Sequence, residues 1–197
     1  MVRGAYGLLG ALGPGHLLID MSTVDPIATR HLADVVQETG AGYVENARLK
    51  AEAFGRASGL AALADDSGLE VDALGGEPGA LHHLQGWDGR DQAERIQILL
   101  DALKDVPLEK RTACFRTVVV VVLPDGRSFV EEGACEGVIA LAPVGSNGFG
   151  YDPVFFYPPL GKRLAELSTV EKNQVSHRSI ATAKMKDSLQ ELAAHST

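Results

Sequence analysis

Five consecutive valines, Val118 to Val122, constrain this chain more than any other stretch. A β-branched run favours extended backbone, and a strand turns successive side chains to opposite faces. Valine at every position, rather than at every second one, predicts a strand buried on both faces. Pro124-Asp125-Gly126 follows as a turn, and the segment up to Ala140 again reads as β-structure.

Helical patterns flank this region. "YVENARLKAEAFGRASG" places Ala47, Ala51, Phe54 and Ala57 at helical spacing and closes at Gly59. "DGRDQAERIQILLDALKDVP" carries Ile96, Leu99, Leu100 and Leu103 on one face, with Pro107 beyond its end. "SHRSIATAKMKDSLQELAAH" closes the chain as a helix, with Ser176 a candidate cap. "LAALADD" predicts a short buried strand ending at Asp65 and Asp66. Near the N-terminus, Leu17 to Met21 reads as a strand before a helix that Ser22, Thr23 or Asp25 could cap, with Pro26 in its first turn. The alternation of strands and helices predicts an α/β fold with a mixed sheet.

The 197 residues suit one domain with a sizeable core. A net charge of −8 argues against a nucleic-acid polymer or an anionic membrane as partner, but not against a small anionic ligand. Cys114 and Cys135 lack metal or redox spacing and read as reduced core residues. No run is long enough to span a membrane, and the Gly-rich N-terminus is too interrupted for a signal peptide, so the expected compartment is the cytoplasm.

Four stretches carry chemistry. In "YVENARLK", Asn46 and Lys50 lie four apart on one helix face, with Glu45 one residue before it. In "LADDSGLEVDALGG", a strand that ended at the paired carboxylates would put them at its carboxyl edge, where α/β sheets bind ligands. Two hard oxygen donors suit Mg²⁺, which takes a few carboxylates plus substrate phosphate oxygens. "GSNGFGYDPVFF" is a Gly-rich loop in which Phe149 and Tyr151 offer stacking surface for a planar base. In "EKNQVSHR", Lys172, His177 and Arg178 gather near a helix start, where anions are favoured. Each stretch alone also reads as ordinary structure: a solvated helix, an Asx turn, a β-turn and a capped surface helix.

Their combination and order are more specific. From about Glu38 to the C-terminus, "TGAGYVENARLKA", "LADDSGLEVDALGGEPG", "GFGYDPVFF" and "AELSTVEKNQVSHR" resemble the motifs of the Ham1, or inosine triphosphate pyrophosphatase, family. The resemblance implies an elongated, two-lobed α/β domain with a central mixed sheet, comprising residues 1–197. It implies a Mg²⁺-dependent hydrolase that splits non-standard purine triphosphates (ITP, dITP, XTP) into monophosphate and pyrophosphate. On its terms Asp66 is the general base, assisted by Asp65 and Lys50. Glu45 and Asp66 hold the metal, and Lys50 and Ser67 hold phosphate. Phe149, Gly150, Tyr151 and Asp152 shape the base pocket, while Lys172, His177 and Arg178 contact base and phosphates. A homodimer is also implied.

Two segments depart from the family pattern. Thr23 and Pro26 stand roughly where the family's phosphate-gripping Asn and Lys belong, and residues 1–37 look instead like a β-hydroxyacid dehydrogenase segment without its glycine fingerprint. Arg30 and His31 are the nearest candidate substitutes. After Gly79, "ALHHLQGW" replaces the family's Tyr-Ser-Ala-Arg-like stretch, bringing in His82 and His83. These departures imply weakened triphosphate affinity. The alternative is an inactive nucleotide-binding relative that keeps the fold.

Overall fold

The computed structural model describes residues 42–81 and 91–194. The expectations for residues 1–37, including Thr23, Pro26, Arg30 and His31, and those for His82 and His83 lie outside the described residues.

Helix α1 spans Tyr43–Ser58. It stops because Gly59 adopts φ 68 and donates its N–H to the Gly55 carbonyl, a left-handed cap that glycine takes without strain. Strand β1 follows over Ala62–Val71, then helix α2 over Gln92–Ala102. The Asp91 carboxylate opens α2 by accepting from the Glu94 N–H. Strands β2 (Thr112–Val122) and β3 (Ser128–Ile139) form a hairpin, whose turn is closed by the Leu123 N–H donating to the Arg127 carbonyl. Short strands β4 (Phe155–Tyr157) and β5 (Lys162–Arg163) lead to helices α3 (Thr169–Val175) and α4 (His177–Ala194). None of the described helices is long and apolar enough to cross a membrane.

The five strands lie in the order β1-β2-β3-β4-β5, with β3/β4 and β4/β5 antiparallel. At the β1–β2 edge the Thr112 hydroxyl donates to Asp72 and Arg116 donates to Glu70. Ascending residues of one strand thus meet descending residues of the other, which is also antiparallel order. The fold is α/β as the element pattern predicts. The expected mixed sheet appears among the described strands as antiparallel pairing; the predicted strand at 17–21 is not among them.

The chain divides into two compact units. The described residues of the first are 42–66, 117–133 and 178–194, and those of the second are 67–81, 91–116 and 134–177. The valine run lies in the first unit. Val119 and Val121 pack on Ala181, Met185 and Leu189 of α4, while Val118 and Val120 pack on Ala47 and Ala51 of α1. The strand is therefore covered on both faces, as an unbroken valine run requires.

The second unit has its own core around Phe155, Leu99, Leu103, Ile139 and Leu164, with the Phe115 and Phe155 rings 4.6 Å apart. Ile96, Leu99 and Leu103 enter it from the helical face read in the sequence. Arg111 is buried there and donates to the carbonyls of Leu103 and Val106, satisfying backbone acceptors just past the end of α2. One boundary differs from expectation. β1 does not stop at Asp65 and Asp66 but continues to Val71, because Leu69 and Val71 are drawn into this core.

Both cysteines are free and buried. Burial, aided by the nearby Glu136, pushes the Cys114 thiol up to about 12 and the Cys135 thiol up to about 11. A raised thiol pKa leaves almost no thiolate at pH 8, and the thiolate is the reactive form. Ellman's reagent at pH 8 is expected to titrate neither cysteine in native protein and both in guanidinium. Rapid native reaction of either one would contradict this packing.

Candidate active site

Asp65 and Asp66 lie in the middle of β1, not at its edge, and this settles how two carboxylates can be neighbours. Adjacent strand residues point to opposite faces. Leu63 packs with the α4-side cluster and Ala64 with the α1-side cluster, so the alternation carries Asp65 towards α4 and Asp66 towards α1. Each carboxylate then meets its own cation.

On the α1 side, Asn46 and Lys50 share a helix face and converge on Asp66. The Asn46 Nδ2 donates to Asp66 Oδ2 at 3.0 Å, and the Lys50 Nζ donates to Asp66 Oδ1 at 2.9 Å. Both Lys50 and Asp66 are nearly buried, so each would be costly without the other. Asn46 is 0% exposed, and its Oδ1 has no hydrogen-bond partner among the described residues. On the α4 side, Arg178 Nε donates to Asp65 Oδ2 at 2.9 Å. Arg178 lies in the first turn of α4, where a cation opposes the helix dipole, and the buried Asp65 offsets that. Glu45 is exposed in the first turn of α1, and Ser67 is half-buried beyond Asp66. Among the described residues no third Asp, Glu, His or Cys joins the aspartate pair as a metal-binding group.

The second unit holds a different cluster. The loop after Val144 turns through Gly148 and Gly150, with φ of 77 and 60. A Cβ at Gly148 would run into the Asp152 carboxylate and press on Lys172, so this backbone position excludes a side chain. Asp152 is buried, accepts from the Phe149 N–H at 2.8 Å and pairs with Lys172 Nζ. The same ammonium lies 4.6 Å from the centroid of the Phe149 ring, which is 56% exposed.

Two expectations for this cluster need revision. Tyr151 cannot offer a stacking face, because it is 8% exposed and packed in the core beside Val154 and Phe155. Lys172 belongs to a separate short helix, α3, rather than to the start of α4. His177 is also buried, its ring stacked on Phe115 at 4.8 Å and 10°.

Supporting residues were not singled out from the sequence. Asn147 fastens the glycine loop by donating Nδ2 to the Leu167 carbonyl. Ser168 and Glu171 form a reciprocal capping box that starts α3 and so places Lys172. The Ser-x-x-Glu spacing was a readable signal for it. The Ser168 backbone N–H and hydroxyl, with Lys162, hold the Glu171 carboxyl down at about 2. A depressed carboxyl contributes above its ordinary value near 4.5, and this one loses its contribution only as pH falls towards 2.

Chemically, the first unit presents cations and carboxylates suited to phosphate oxygens and proton transfer. The second presents an exposed aromatic ring beside a lysine–carboxylate pair, suited to a planar group with polar edges. An α/β protein with these two clusters is of the class that handles nucleotides. The chain belongs to the Ham1 family, whose model matches residues 16–188. That match begins well ahead of Glu38, where the sequence motifs begin. A dITP/XTP pyrophosphatase from Geobacillus kaustophilus is 47% identical over 80% of this chain and 77% of its own. One from Yersinia pseudotuberculosis is 46% identical over 89% and 90%. The solved structure of the Staphylococcus aureus Ham1 protein matches with a TM-score of 0.76 at 33% identity, covering 89% of this chain and 99% of that one.

Proposed function

We propose that this chain hydrolyses non-standard purine nucleoside triphosphates of the dITP and XTP type, releasing the nucleoside monophosphate and pyrophosphate. The observation that carries the reading is Asp66, held between Lys50 and Asn46, in a chain 47% identical to a dITP/XTP pyrophosphatase. Water attacks the α-phosphorus: a new P–O bond forms, the bridge to the β-phosphorus breaks, and pyrophosphate leaves. Asp66 takes the proton from the water. Lys50 exchanges its carboxylate partner for phosphate oxygens, which frees an acceptor on Asp66 and places a cation on developing negative charge. Arg178, aimed by Asp65, adds a second cation. Phe149 stacks on the base, while Lys172, oriented by the buried Asp152, reads its edge in favour of a 6-keto purine.

The donor set suits Mg²⁺. Asp66 supplies hard carboxylate oxygens, and Mg²⁺ bound through one or two carboxylates completes its shell with waters and substrate phosphates. Asp66 and the exposed Glu45 would hold it. The ion would neutralise triphosphate charge. Ser67 would add a hydroxyl to the phosphates. The remaining parts of the reading are a cytoplasmic homodimer and a triphosphate affinity lowered by Thr23 and Pro26. A charge-assisted contact is worth about 1.5–3 kcal/mol, or roughly ten- to a hundredfold in affinity.

Pyrophosphate release from XTP, with excess Mg²⁺ or with EDTA, tests the reading. Activity that EDTA abolishes and added Mg²⁺ restores is expected. Turnover unchanged in EDTA would remove the metal from the account, and release of orthophosphate alone would move the point of cleavage.

A further inference from the structure

The amide of Asn46 leaves a buried oxygen orphaned, a cost that the carboxylate–lysine pair does not explain. Asn46 is 0% exposed, and a buried carbonyl oxygen without a partner forfeits a hydrogen bond. Its orientation is set by its neighbour. Nδ2 donates to Asp66 Oδ2 at 3.0 Å, and a flipped amide would put its oxygen against a carboxylate instead. Nδ2 is therefore held as a donor to Asp66, on a rigid helix and 20 residues away in sequence.

We propose that Asn46 is a positioning residue for hydrolysis, an inference that rests on the functional reading above. Nδ2 fixes the rotamer of the Asp66 carboxylate, so that an acceptor lone pair of Asp66 faces the attacking water. The proton passes to Asp66, the oxygen bonds to phosphorus, and the second hydrogen of the water stays with the new phosphate oxygen until it ionises. Lys50 holds the other carboxylate oxygen, at 2.9 Å, and turns to phosphate when substrate binds, whereas the Asn46 contact persists.

The test is steady-state hydrolysis of XTP by wild type, Asn46→Leu, Asp66→Asn and the double variant. Leucine matches the branched shape of asparagine and suits a buried site, while removing both polar atoms. Asn46→Leu should lower kcat by about 10- to 100-fold with KM within about twofold, since the loss falls on the transition state. Because Asn46 acts through Asp66, the double variant should be no slower than Asp66→Asn by more than about threefold. A raised KM with unchanged kcat would make Asn46 a substrate contact and overturn the proposal. So would multiplicative losses in the double variant, or a wild-type rate in Asn46→Leu. If Asn46→Leu does not fold by circular dichroism, Asn46→Ala carries the same expectations, and failure of both to fold would mark the residue as structural and overturn the proposal. A wild type that releases no pyrophosphate from XTP, dITP or ITP would overturn the functional reading first, and this role with it.

Discussion

Replacing Asp66 with asparagine should reduce kcat by about 10²- to 10⁴-fold, the usual range for removing a general base. The change keeps the volume and removes the charge. It also presents an amide to Lys50 and to Asn46, both donors, so one contact is lost and the nearly buried lysine faces a neutral group in place of a carboxylate. That costs about 1–3 kcal/mol, and each kcal/mol lowers Tm by about 2–4 °C in a chain of this size. The variant should therefore fold, melt somewhat earlier and be nearly inactive. Circular dichroism and a coupled pyrophosphate assay read the two effects separately. A wild-type rate would place the base elsewhere.

The largest effect on stability is expected at Lys172. Its ammonium is the cationic partner of Asp152, whose side chain is 3% exposed. Lys172→Met leaves that carboxylate buried and uncompensated, which costs about 3 kcal/mol or more. It also removes the cation beside the Phe149 ring, so KM for a purine triphosphate should rise by about tenfold. Combining it with Asp152→Asn removes the stranded charge. The amide oxygen can still accept from the Phe149 N–H, so the double variant should recover most of the melting temperature but not the KM. Stability that failed to return would mean the ion pair is not the main cost.

Much of this could be read from the residues because local rules and tertiary packing agree. Gly59 ends α1 where no other residue takes φ 68 without strain, and the valine run could only be a strand covered twice. Asn46 and Lys50 at four-residue spacing had to share a face, and that face is the one on Asp66. The end of β1 was misread because Asp-Asp-Ser-Gly is turn-like locally, whereas Leu69 and Val71 extend the strand through long-range burial. The same gap explains Tyr151. Loop composition marks an aromatic near glycines as exposed, and only the core decides that Phe149 faces solvent while Tyr151 does not. The separate cations of Asp65 and Asp66 follow from strand alternation, which a turn reading hid.

The most direct test of the account is a comparison of kcat/KM for pyrophosphate release from XTP and dITP with that from ATP, using the intact chain in Mg²⁺. A site that reads a 6-keto edge should favour XTP and dITP by on the order of 10²-fold or more, with monophosphate as the second product. Equal or faster hydrolysis of ATP, or no pyrophosphate from any of the three, would contradict it.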